Sequence, residues 1–170
     1  MIPMTTKGIR PGIGLEDVLF GQSVEDVERL LGPAPESSFD RDDDESTRTL
    51  AYPAEGICLF FHEEDDRRRE DGFRLWSIEV ALAAEAYCLF GVSLHAVDKK
   101  AVRDLLGRRL SPAEMKDIKE ELFEAIGESA LSVPALGATF YFGQDGILED
   151  LHWGPLFRPD DEVIWPSEGS

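Results

Sequence analysis

At 170 residues the chain has the length of one ordinary domain and is short for two that fold independently. Its apolar fraction of 42% is enough to build a packed core, which excludes disorder throughout. With 35 acidic residues against 17 basic ones the formal charge is -18. That field repels phosphate backbones and anionic bilayers, so direct binding of nucleic acid or a membrane surface is excluded and a basic protein is the favoured partner.

In chain order, residues 1–11 carry Lys7 and Arg10 and no apolar run of the signal-peptide kind, which places the expected compartment in the cytoplasm. Residues 15–20 read as a weak strand. Ser23 follows as a helix N-cap, with Asp26 three residues later as the capping-box acid and Gly32-Pro33 as the stop. Val24, Val27, Leu30 and Leu31 supply the apolar face of that first helix. The run 40–45 is too charged to bury and reads as a solvated loop. Its acids at Asp40, Asp42 and Asp44 suit a calcium loop. However, Glu45 stands where that loop needs glycine and Ala51 where it needs a bidentate acid, so the calcium reading fails.

Residues 47–52 form a weak strand candidate and 57–61 a strong one. His62-Glu63-Glu64-Asp65-Asp66 offers metal ligands in sequence, but Arg67-Arg68-Arg69 follows and no scaffold converges them. The segment 62–71 therefore reads as a solvated hairpin end, and no metal or other cofactor is expected. Residues 73–80 are a strand, and 86–94 a weaker one. Asp98 caps a second helix that runs through Ala101, Val102, Leu105 and Leu106 to Gly107. Ser111, Pro112 and Glu114 open a third. Met115, Ile118, Leu122 and Ile126 form its expected buried stripe, and Lys116, Asp117, Lys119, Glu120, Glu121 and Glu124 its wet face. Residues 138–142 and 147–153 complete the strands. Cys58 and Cys88, each in an apolar segment, read as reduced core thiols.

The chain also resembles itself. Pro53-Ala54-Glu55-Gly56-Ile57-Cys58-Leu59-Phe60-Phe61 aligns without gaps to Pro134-Ala135-Leu136-Gly137-Ala138-Thr139-Phe140-Tyr141-Phe142, and Leu30-Leu31-Gly32 to Leu105-Leu106-Gly107. The order helix, strand, turn, strand thus occurs twice. The expected fold is a single α+β domain over 1–170, an internally duplicated unit of helix plus antiparallel strands, with the helices packed on one face of the sheet. Repeat 1 covers about 14–80, repeat 2 about 90–154, and a C-terminal tail 155–170.

Within residues 14–35, Phe20-Gly21-Gln22-Ser23, Val27 and Leu30-Leu31-Gly32-Pro33 resemble the helix-opening signature of β-lactamase-inhibitor-protein-like and SmpA/OmlA-like tandem-repeat domains. A second copy has Ala96 at the motif glycine and Asp98 at the serine. The resemblance implies short helices on one face of an antiparallel sheet and a role in binding other proteins.

Catalytic signatures are missing from the sequence. His62, His95 and His152 have no local nucleophile, and no Walker or Rossmann glycine pattern is present. Side chains alternate along a strand, so Ile57, Leu59 and Phe61 share one side with Ala138, Phe140 and Phe142, leaving Cys58, Phe60, Thr139 and Tyr141 on the other. An aromatic-bearing second face on an acidic protein is expected to bind a basic partner, in the manner of an immunity or inhibitor protein. Its expected contact residues are Phe60, Tyr141, Glu79 and Asp150, with Trp76 and His152 behind them. Two other readings stand beside it: a small hydrolase-like enzyme using His152 with nearby carboxylates, and a homodimer formed through the same face.

Overall fold

The computed structural model describes residues 7–41, 46–63, 72–83 and 87–166. Three short strands open the chain, β1 (Lys7–Arg10), β2 (Gly14–Leu15) and β3 (Val18–Leu19), followed by helix α1 (Val24–Leu31). A four-strand meander comes next: β4 (Glu36–Arg41), β5 (Ser46–Tyr52), β6 (Ile57–Glu63) and β7 (Phe73–Ala81). Strands β8 (Tyr87–Leu89) and β9 (Val92–Ser93) lead into helices α2 (Lys99–Gly107) and α3 (Pro112–Lys116). The second meander is β10 (Lys119–Phe123), β11 (Glu128–Val133), β12 (Ala138–Phe142) and β13 (Leu148–Trp153). A hairpin of β14 (Leu156–Phe157) and β15 (Val163–Ile164) closes the described chain.

The two meanders join into one eight-stranded sheet in the order β10-β11-β12-β13-β7-β6-β5-β4. Every neighbour pair in it is antiparallel, and the last strands of the meanders, β13 and β7, meet in the middle. A second sheet of five short strands runs β3-β2-β1-β8-β9, with β1 and β8 paired in parallel. The two Pro-Ala-x-Gly segments make the same turn. Gly56 (φ 68) and Gly137 (φ 59) both adopt the left-handed conformation that glycine tolerates without a Cβ clash. Their N–H groups donate to the carbonyls of Pro53 and Pro134, at 3.2 and 3.1 Å.

The expected α+β class is overturned. Among the described residues 50% is strand and 17% helix, and the helices are three short ones, so the fold is β-rich. The layer over the inner face of the large sheet is shared rather than helical. One apolar cluster takes Ile9, Leu15, Val18 and Leu89 from the small sheet and Val27, Val102 and Leu106 from helices. These pack with Leu59, Phe61, Ile78, Phe140 and Leu151 of the large sheet. Trp153, 2% exposed, ties the layers by donating its indole N–H to the carbonyl of Gly14 at 3.1 Å.

The first two helices begin where their caps predict. Ser23 Oγ accepts from the N–H of Asp26 at 3.1 Å, and Asp98 accepts from that of Ala101 at 2.8 Å. The Asp26 carboxylate, read as a capping-box acid, instead pairs with Arg29. The third helix is the main local correction. Its capping box forms between Ser111 and Glu114, but the helix stops at Lys116 and residues 119–123 run extended against β11. Gly127 (φ 70) turns that hairpin, and Leu122 and Ile126, expected in the core, are 64% and 51% exposed. A capping box marks where a helix starts and carries no information about its length. Here strand pairing with 128–133 decides where it ends. Of the charged runs, Asp40 and Arg41 finish β4 and His62 and Glu63 finish β6. Residues 42–45 and 64–71, which held the remaining candidate calcium and metal ligands, lie outside the described residues.

Candidate interaction face and its groove

Alternation gives the large sheet two chemically different faces. Ile57, Leu59 and Phe61 of β6 are buried inward, while Cys58, Phe60 and His62 point to the outer side and are half-buried. Strand register then sets up a row across the outer face: Lys119, Ser132, Thr139, His152, Glu79, Cys58, Ala51 and Glu36, one from each strand. At the usual strand spacing this row is about 34 Å long. Beside it lie Tyr141 opposite Asp150, and on the other flank Phe60 opposite Ser77.

The structure therefore brings Phe60, Tyr141, Glu79, Asp150 and His152 together at the centre of one face, around the junction of β13 and β7. Phe60 and His152 stand ring to ring at 6.0 Å. Trp76 lies at the edge of this group, for a definite reason. In the β6–β7 ladder Phe60 faces Ser77 and Phe61 faces Leu75, so Trp76 is the extra residue of a β-bulge. The bulge aims its indole at His62 (5.6 Å), Phe157 (6.1 Å) and Trp165 (5.5 Å).

The centre of the face is crowded with negative charge. Burial, then Glu79, Glu149 and Glu128, raise the Asp150 carboxyl above the ordinary aspartate range. Burial, then Glu79, Glu36 and Asp150, push the Cys58 thiol up in the same way. Among the described residues the ion pairs join Arg29 to Glu25 and Asp26, and Lys99 and Arg103 to Glu120; none reaches Glu79, Asp150 or Glu36. Both cysteines are free and half-buried rather than in the core, with Cys58 on this outer face and Cys88 on the small sheet.

The Cys58 thiol is not activated. A nucleophilic thiol needs a lowered pKa, and Cys58 is shifted the opposite way. The enclosed Nε2 of His152 has no hydrogen-bond partner among the described residues. No group of three or more His, Cys, Asp or Glu among the described residues is placed to hold a metal ion.

Where the outer face meets the C-terminal hairpin, a groove of about 740 Å³ opens. Trp76, His62, Thr139 and His152 form its sheet side, and Phe157 and Ile164 its hairpin side. Phe157 and Ile164 are 53% and 43% exposed. Trp165 anchors the hairpin by packing against Gly21: a Cβ added there would stand 2.9 Å from its ring. Gly21 and Gln22 are themselves held to β7 by paired backbone hydrogen bonds with Leu75, each 2.9 Å. Neither Phe157 nor Ile164 is among the contact residues expected from the sequence, where the segment 163–165 reads only as a possible cover for this face. Their signal was a set of large apolar residues, Phe157, Val163, Ile164 and Trp165, set in an otherwise acidic tail.

No family model, curated protein or solved structure matches the chain. No helix among the described residues is long and apolar enough to cross a membrane.

Proposed function

We propose that the chain is a non-catalytic binding protein that docks a basic protein on the outer face of its large sheet, as an immunity or inhibitor protein does. The observation that carries this reading is the central pair Glu79 and Asp150. These acids crowd each other on a half-exposed face and have no cation among the described residues to neutralise them. Like charges held close on a sheet destabilise it, and a cationic partner relieves that cost on binding. Tyr141, Phe60 and Trp76 add rigid aromatic area of the kind that dominates interface energetics. The action is steric occlusion of the partner, with the net charge of -18 speeding the encounter.

The resemblance to inhibitor-like tandem-repeat domains supports a binding role, and the two free thiols support a reducing, cytoplasmic compartment. Self-association through the same face is disfavoured, because it would press two acidic centres together.

Capture from the lysate of the native host across a salt series tests the proposal. A single basic protein retained at low salt and released as salt rises is the expected outcome, since screening shortens the reach of the acidic field to about 3 Å at 1 M. Retention that is indifferent to salt, or no specific partner at any salt, contradicts it.

A further inference from the structure

We propose that the groove beside Trp76 is an arginine pocket, seating one guanidinium of the basic partner on the Trp76 indole. The inference rests on the binding role proposed above and names the chemistry of one contact within it.

The walls supply the aromatic part. Trp76 is flanked by His62, Phe157 and Trp165 with ring centroids 5.5 to 6.1 Å away, and the bulge in β7 keeps it on the open side of the sheet. This cluster already holds one guanidinium of its own: Arg74 lies over the Trp165 ring at 5.7 Å. Guanidinium stacks flat on indole, is more weakly hydrated than ammonium, and keeps its charge at every working pH.

The rim supplies the charge. The residues lining the groove include no Lys, Arg, Asp or Glu. On the sheet side Glu79 stands next to His152 in the strand register. On the hairpin side the turn between β14 and β15 carries Asp160, Asp161 and Glu162 against a single base, Arg158. Glu79 on the sheet side and the 158–162 turn on the hairpin side thus supply the negative charge that favours a cation in the groove. The volume, about 740 Å³, exceeds what one side chain fills and accommodates the backbone that carries it.

Titrating the intact protein with the peptide Ac-Gly-Arg-Gly-NH2 while following tryptophan fluorescence tests this without any partner. The matched peptide with neutral citrulline in place of arginine serves as reference. The arginine peptide is expected to saturate the signal, with the citrulline peptide about tenfold weaker. Phe157→Ala and Trp76→Ala are each expected to weaken the arginine peptide by about tenfold. Phe157 is exposed enough for its variant to keep the fold if Trp76→Ala does not. Equal response to both peptides, no saturation, or an unchanged response in Phe157→Ala overturns the pocket. Because the peptide reads the groove alone, the pocket can fail while salt-dependent capture succeeds, and the reverse outcome is equally visible.

Discussion

Replacing Glu79 and Asp150 together by lysine is expected to weaken binding of the captured basic partner by about 100-fold or more while the protein stays folded. Glu79 pairs with His152 in the register and Asp150 with Tyr141, so the two reversals fall at the centre of the outer face. Placing like charges across an interface costs several kcal/mol, and 100-fold corresponds to about 2.7 kcal/mol, so the expected loss sits within reach of the two substitutions. Neither side chain contributes to the apolar cluster on the inner face. Asp150 is raised by burial and by Glu79, Glu149 and Glu128, so its charged form opposes folding as pH climbs through its folded-state pKa. Removing that negative charge therefore does not threaten the sheet. Titration calorimetry with the partner, with thermal unfolding as the control for folding, gives the answer. An affinity unchanged by the double reversal contradicts the acidic-face account.

Phe140→Ala is expected to destabilise the protein by about 3–5 kcal/mol, a large part of the 5–15 kcal/mol typical of a domain. Phe140 is fully buried at the middle of β12, between Leu131 of β11 and Leu151 of β13. Its removal leaves a cavity where the second meander packs against the shared cluster. Because β13 and β7 join the meanders, the loss is expected to lower a single cooperative urea transition for the whole chain. Two separate transitions, with the first meander unaffected, would show that the halves do not share one core.

How much of this was visible in the sequence depends on where each element sits. Strands β6, β7, β12 and β13 were legible because each has one face in the core and one toward solvent, which forces alternation. Helices α1 and α2 were legible from Ser23 and Asp98, whose caps are local hydrogen bonds. By contrast, β4 is exposed at all six positions, so its edge pairing with β5 leaves no pattern to read. The hairpin of β10 and β11 hid behind a good helix start at Ser111 and a helical spacing of Met115, Ile118, Leu122 and Ile126. The small sheet was legible only in part: the weak strand candidates 15–20 and 86–94 each hold a pair of strands two or three residues long, and β1 left no pattern to read. The α+β expectation came from the overextended third helix and from assigning the covering layer to helices, when part of that layer is the small sheet.

The outer face was partly legible for the same reason as its strands: alternation alone puts Phe60 and Tyr141 opposite the core. The adjacency of Glu79 and His152 was not, because it depends on the two meanders meeting at β13 and β7, a contact between residues 73 positions apart. Nor was the groove, which needs the bulge at Trp76 and the return of Trp165 to Gly21.

The most direct test of the central claim uses the two cysteines as built-in reporters. Cys58 lies on the outer face and Cys88 on the small sheet. Alkylation of each thiol, followed by mass spectrometry with and without the captured basic partner, separates the surfaces in one experiment. The account predicts that the partner protects Cys58 and leaves Cys88 unchanged. Equal labelling of Cys58 in the free and bound protein, or protection of Cys88 instead, would place the partner elsewhere and contradict it.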